Sequence, residues 1–233
     1  QAPSARVAGM SSTAMLAGDE FRGRDATGLQ PLTDKTPSEG AEMKKYFKFL
    51  LGFLVVMGQV FAWSTYFLSP SRALYNEKFA FIHKYELGYV FLAVWMSGIC
   101  RTVLVVNANG ARAPARLDRP DQHVYRIAAA GGPMRDAPYV LMVTAGPQGR
   151  FNRAQRGVFN TDESLPLYLL NVLLVGSVFG PFVPCVVLLW VFGRITFAFK
   201  YKGSAASRGA GFMPAAIAEK WLEGLVLLCA IKG

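Results

Sequence analysis

Five long apolar runs, separated by polar segments, organise the chain. The first, Phe47 to Leu68, holds no charge beyond Lys48 and carries Trp63 and Tyr66 near its far end. About 20 apolar residues span a bilayer core as a helix, and aromatic residues gather at its interfaces, so this run predicts a spanning helix. Glu86 to Val106 predicts a second, interrupted by Arg101. A guanidinium at membrane depth demands a partner, a snorkelling path or a nearby helix end. From Asn152 the pattern is helical and amphipathic, then wholly apolar from Leu165 to Phe179. The turn Gly180-Pro181-Phe182-Val183-Pro184 reverses the chain, Cys185 to Phe199 crosses back, and Met213 to Ile231 forms a last helix that begins with Glu219, Lys220 and Glu223 in its first half.

The polar segments divide the chain further. Residues 1–43 read as a flexible polar tail, rich in Ala, Gly, Ser and Thr, without an acid before Asp19 and without an apolar periodicity that could bury a face. Its basic, acid-poor start, lacking an initial Met, reads as the remnant of an organellar targeting region. Residues 44–70 read as one transmembrane helix, and residues 85–233 as a four-helix unit interrupted by a long loop over 107–151. The connection between these parts carries Pro70, Arg72, Glu77, Lys78 and His83. Turn signals at Asn109-Gly110, Gly131-Gly132-Pro133 and Gly146-Pro147 punctuate the long loop, with one candidate short strand at Tyr139 to Thr144.

Composition sharpens this picture. The chain has 233 residues, of which 52% are hydrophobic and 17% charged, with a formal net charge of +10. A secreted disulfide scaffold, a disordered tail protein and a simple nucleic-acid binder are thereby excluded; the class is all-α integral membrane. The basic excess sits in the tail, in the long loop with Arg112, Arg116 and Arg126, and in the connection with Lys200, Lys202 and Arg208. It marks the cytosolic or stromal side of the membrane rather than a nucleic-acid partner. Cys100, Cys185 and Cys229 lie inside apolar runs without metal or disulfide spacing and read as packing residues, so no metal site is expected.

Candidate chemistry concentrates in FNRAQRGVFNTDESLPLYL. Arg156, Asn160 and Glu163 stand at i, i+4 and i+7, one face of a helix entering the membrane. Such groups must meet each other, a neighbouring helix or a polar ligand, and spacing alone leaves both a structural network and a ligand site open. On the next helix and its connection, Arg194 and Tyr201 are i, i+7, and Arg208 follows seven residues later. Three arginines, an amide, a carboxylate and a tyrosine at one rim suit a small anionic ligand such as a glutathione-like tripeptide, and an arginine beside its thiol would favour the nucleophilic thiolate. Glu219 and Glu223 read as local salt bridging with Lys220.

These segments resemble the MAPEG family, the membrane-associated proteins in eicosanoid and glutathione metabolism. The resemblance runs from about Tyr85 to the C-terminus. FNRAQRGVFNTDESLPL is similar to the hallmark of the branch with microsomal glutathione S-transferase type three and cysteinyl-leukotriene synthase, GRITFAFKYKG to its later motif, and YELGYVFL to its first-helix opening. The resemblance implies a MAPEG-like four-helix bundle, usually trimeric, to which this chain adds one N-terminal transmembrane helix. It implies glutathione as co-substrate, held by Arg156, Asn160 and Glu163, enclosed by Arg194 and Tyr201, with Arg208 stabilising the thiolate. Phe197 stands where the family commonly has Tyr, Lys200 where it has Gly, Val158 where this branch has His, and Ala113 and Pro114 where the first helix ends in a basic pair.

Two functions follow. One is a membrane-bound glutathione S-transferase or peroxidase acting on lipophilic electrophiles or lipid hydroperoxides. The other is an accessory subunit, weakly active or inactive, of a large organellar complex such as a photosystem-antenna or respiratory supercomplex. In that second setting pigments or lipids are possible ligands, with His83, His123 and Glu86 as axial candidates, although such lone residues near a helix start are more often solvated or capped. Partners are membrane lipids, lipophilic small molecules, and either a homotrimer or complex subunits. The expected membrane is the plastid thylakoid, the mitochondrial membrane or the endoplasmic reticulum, an organelle ahead of the last.

Overall fold

The computed structural model describes residues 24–25, 29–117, 122–127 and 140–233. The targeting reading of the early tail, and the loop residues Arg119 and Arg135, lie outside them. The chain is an all-α integral membrane protein, with one small hairpin among the described residues.

The first helix starts at Glu39, ahead of the apolar run, because Ser38 caps it: the Ser38 backbone is extended and its Oγ accepts from the Ala41 amide at 3.3 Å. Glu39 and Glu42 then suit the positive end of the helix. The helix is continuous to Leu68 in three parts, α1 (Glu39–Phe47), a π-helical stretch (Lys48–Val55) and α2 (Val56–Leu68). Pro70 ends it. The polar connection is itself helical, α3 (Arg72–Lys84), tied back by a 2.7 Å hydrogen bond from the Tyr66 hydroxyl to Asn76 Oδ1. A tight turn through Glu86, at φ 56, leads into α4 (Gly88–Gly110). Gly180 permits this turn, since a Cβ there would stand 2.9 Å from the Glu86 carbonyl oxygen.

Between α4 and α5 (Gly146–Gly176), the strands β1 (Tyr125–Ile127) and β2 (Val140–Met142) pair antiparallel, with Tyr125 opposite Met142. The expected strand is there. Buried Asn152 anchors the hairpin: its Oδ1 accepts from the Val124 amide, and its Nδ2 donates to the Val124 and Val143 carbonyls, all at 2.8 Å. A 3-10 turn (Gly180–Phe182) opens α6 (Val183–Gly203), and a second (Ala205–Arg208) joins it to α7 (Gly209–Lys232).

Helices α4 to α7 pack on one core. Trp190 is fully buried and stacks on Tyr168 at 4.0 Å between ring centroids, among Val172, Val187 and Leu222. Leu104, Phe151, Ala154 and Ala198 fill the rim end, where the loops gather. Leu170, Leu174, Leu188, Phe192 and Leu227 face outward as a lipid-contacting belt. Glu39–Leu68, Gly88–Gly110 and Gly180–Gly203 are long and apolar enough to cross a membrane. The other two helices of the bundle carry charges along their length, α5 up to Glu163 and α7 from Glu219 to Glu223, and pair most of them internally. Cys100, Cys185 and Cys229 are free thiols.

The extra helix is clasped at its start. Glu39 accepts from Arg150 Nε and Nη2 at 2.6 and 3.0 Å, and pairs with Lys202 at 2.5 Å. Lys202 is 3% exposed, so this carboxylate is its counter-charge in a buried place. Met43, on the same face of α1, sits on Gly110, where a Cβ would collide with it. Replacing Glu39 by Gln weakens charge-assisted bonds of about 1.5–3 kcal/mol, and is expected to speed trypsin cleavage after Lys44 and Lys45 roughly tenfold or more. Glu42→Gln, which removes the single pair with exposed Lys45 and leaves the clasp on Arg150 and Lys202 intact, should change cleavage far less.

Candidate functional site

The rim-proximal half of α5 turns three polar faces in three directions. Outward, Arg156 Nη1 donates to Glu163 Oε1 at 3.1 Å, with the two side chains 46% and 60% exposed and half-buried Asn160 between them along the helix. On the next face, Asp162 accepts from Arg101 of α4 through Nε at 2.8 Å and Nη2 at 3.0 Å. That bidentate pair is the partner Arg101 requires at its depth. Ser164 faces a third way, into the bundle.

Arg194 occupies that interior. Its Nη2 donates to Ser164 Oγ at 2.6 Å and to Glu219 Oε1 at 2.5 Å, and its guanidinium lies over Trp190 at 5.5 Å. The Trp190 indole donates to the same Glu219 oxygen at 2.9 Å. Glu219 therefore leaves the local set on α7, where Lys220 and Glu223 do pair, at 2.7 Å. Arg194 reaches the outward face only through its Nη1, 3.5 Å from the Asn160 carbonyl.

Tyr201 is half-buried near the end of α6, its ring 5.3 Å from that of buried Phe197. Its carbonyl, with those of Lys202 and Gly203, receives the Arg153 guanidinium at 3.1 to 3.3 Å. One arginine thus caps α6 from α5, at the helix end where a cation is favoured. Arg208 ends the 3-10 turn, exposed and without a hydrogen bond to any described residue. The structure thus brings Arg156, Asn160 and Glu163 together on α5, leaves Arg208 on the open rim, and turns Arg194 inward.

A residue outside the tripeptide set also approaches this face. His123, one residue before the Val124 anchored by Asn152, sets its ring 5.3 Å from that of Phe159 in a tilted contact, beside Arg156. Burial and then the Arg156 charge hold its pKa below the usual histidine value. Its Nε2 is buried without a partner among the described residues. Spacing could not show this neighbour, because the hairpin carries it there. Asp162, Ser164 and Arg153 were likewise hidden in plain periodicity. The need of Arg101 for a counter-charge was the available signal for Asp162.

Comparison with known proteins agrees with the residues. No curated protein matches the chain. The MAPEG family's profile, however, matches residues 87–227, more than half of the chain and the whole of the α5 and α6 segments just described. Members of that family are glutathione-related or eicosanoid-metabolism membrane proteins, and family members use glutathione. On that match, over a helical membrane bundle, the chain belongs to the MAPEG family.

Proposed function

We propose that the chain is a membrane-bound glutathione S-transferase with peroxidase-like capacity, acting on lipophilic electrophiles or lipid hydroperoxides. The observation that carries this reading is the outward Arg156–Glu163 pair on α5, about half exposed where the apolar run begins. An ion pair in that position is costly beside lipid and natural beside a polar ligand. The guanidinium of Arg156 takes a glutathione carboxylate, Glu163 takes the ammonium, and Asn160 hydrogen-bonds between them. Tyr201 encloses the tripeptide from α6. Arg194 acts as a positioning residue, holding Asn160 from behind.

Exposed Arg208 supplies the positive charge that stabilises the thiolate after the S–H proton passes to solvent. The sulfur lone pair then forms the C–S bond to the electrophile, whose leaving group or opened ring takes the displaced electron pair. With a hydroperoxide, the thiolate attacks the distal oxygen, the O–O bond breaks as the S–O bond of a glutathione sulfenic acid forms, the departing alkoxide takes a proton to give the alcohol, and a second glutathione condenses with the sulfenic acid to give the disulfide and water. The site lies between adjacent protomers of a homotrimer, which covers the exposed pair. The test is ultraviolet difference absorbance of glutathione thiolate on titrating the tripeptide into purified protein. A saturable signal is expected in the wild type, reduced at least about tenfold in Arg208→Ala, equivalent to about 1.4 kcal/mol. Absence of the signal in the wild type overturns the reading.

One observation favours the second reading, an accessory subunit of an organellar complex. The α1–α2 helix has none of its most apolar stretch buried, and Phe53, Phe61, Trp63 and Phe67 face outward from it. Such a helix suits contact with further membrane subunits. Migration solely as a free homotrimer in mild detergent would remove this alternative.

A further inference from the structure

The extra helix carries, at mid-membrane depth, one polar side chain without a partner among the described residues. Between Lys48 and Ser64, Gln59 is the only residue with an amide, hydroxyl or charged side chain. It stands nine residues before Leu68. That is roughly 14 Å from this end of the span at 1.5 Å per residue, close to the middle of a hydrocarbon core about 30 Å thick. No residue of α2 is buried, Gln59 is exposed, and its amide hydrogen-bonds to no described residue. Two hydroxyls nearby are satisfied within the chain: Thr65 donates to the Phe61 carbonyl at 2.8 Å, and Tyr66 to Asn76. A primary amide left bare in hydrocarbon is costly, and in transmembrane helices such groups hydrogen-bond across to a second helix.

The surface around Gln59 has the form of a helix-packing seam. Val56, Val60, Trp63 and Phe67 stand at i, i+4, i+7 and i+11, with Gln59 at i+3, the spacing that lines up along one side of a helix and packs against another. Together these residues line a shallow groove of about 450 Å³. Its aromatic end is ordered within the chain. Trp63 stacks on Phe67 with 5.6 Å between ring centroids, and the Arg72 guanidinium of α3 lies over the Tyr66 and Phe67 rings at 5.1 Å. The seam lies outside residues 87–227, on a different element from the α5 face with Arg156 and Glu163.

We infer that this face of α2 docks on the same face of a second copy of the chain, Gln59 against Gln59. A glutamine amide is its own complement, since its carbonyl accepts and its NH₂ donates, so an identical residue answers both needs. Copies inserted with the same topology run the same way through the membrane, and a two-fold axis relating them lies along the membrane normal. The paired α2 helices are therefore parallel, and each residue meets its own depth. The two amides face each other at the bilayer centre, with Val56, Val60 and Trp63 packing to either side. This contact is separate from any assembly through the bundle and does not depend on glutathione binding.

The test is disulfide trapping of the purified full chain in lipid vesicles at decreasing protein-to-lipid ratio. Val56→Cys, on the seam, is expected to give a covalent dimer that reductant dissolves. Phe61→Cys, equally open to lipid but about 140° round the helix from Val56, should not. The unsubstituted chain, with its thiols at Cys100, Cys185 and Cys229, supplies the background. Adding Gln59→Leu to Val56→Cys should weaken the dimer about tenfold, equivalent to about 1.4 kcal/mol, whereas Gln59→Asn, which keeps an amide, should retain most of the affinity. Equal trapping at Val56→Cys and Phe61→Cys, or a dimer that Gln59→Leu leaves unchanged, overturns the inference. So does the lack of trapping at both Val56→Cys and Val60→Cys, the outcome expected if the helix of a different protein covers this face.

Discussion

Replacing Glu219 alone by Leu is expected to destabilise the bundle by about 3–5 kcal/mol, whereas adding Arg194→Met in the same chain should recover most of that loss. Arg194 and Glu219 are 11% and 23% exposed, so water does little to screen either. One Glu219 oxygen serves two donors, the Arg194 guanidinium and the Trp190 indole. Removing it strands a charge against an aromatic core, since Trp190 is fully buried against Tyr168. Removing both charges leaves only the indole and Ser164 to re-pair, a much smaller penalty. The measurement is reversible denaturant unfolding of the two single variants and the double. Single variants as stable as the wild type would mean that the pair is solvated rather than internal. The prediction concerns folding, and it also bears on the site. Arg194 meets the Asn160 carbonyl at 3.5 Å, so loss of the pair should loosen the α5 face that carries Arg156 and Glu163.

The apolar runs made the membrane class and the helical bundle legible, because burial in lipid needs length and composition and little else. Boundaries set by distant partners were not legible. The first helix begins at Glu39, where Ser38 caps it, rather than at Lys44, and that start is pinned to the bundle by Arg150 and Lys202, far along the chain. The helix α3 was hidden as a polar connection: Arg72, Glu77, Lys78 and His83 dilute its apolar positions, and Leu74, Phe79 and Phe81 remain exposed. In the site, the i, i+4, i+7 spacing placed Arg156, Asn160 and Glu163 on one face, since one helix suffices to decide that. The same rule paired Arg194 with Tyr201. It could not show that Arg194 turns towards Glu219 on another helix, or that a hairpin brings His123 beside Arg156. A charged residue at membrane depth announces that it has a partner, and only the packing says which one.

Packing is tightest where α6 crosses α7, and two glycines of α7 are expected to respond with opposite sign to the same substitution. A Cβ on Gly211 would overlap the backbone of Phe197 and stand 2.5 Å from the Gly193 carbonyl oxygen. Gly193 in turn lies against the Ala215 backbone, so small residues on both helices let the two main chains touch. Backbone atoms cannot rotate aside as a side chain does, and Gly211→Ala must push the helices apart. The expected cost is about 3 kcal/mol or more, at the upper end of overpacking, with a falling yield of folded protein. Gly224, further along α7, has nothing within 4 Å of its would-be Cβ. There Ala brings only its helix preference, a gain of up to about 1 kcal/mol. Unfolding curves of the two variants test the crossing directly: a neutral Gly211→Ala would mean that α6 and α7 stand apart in the membrane. It would also separate Tyr201 and Arg208, which flank this crossing at the rim, from the geometry on which the proposed chemistry depends.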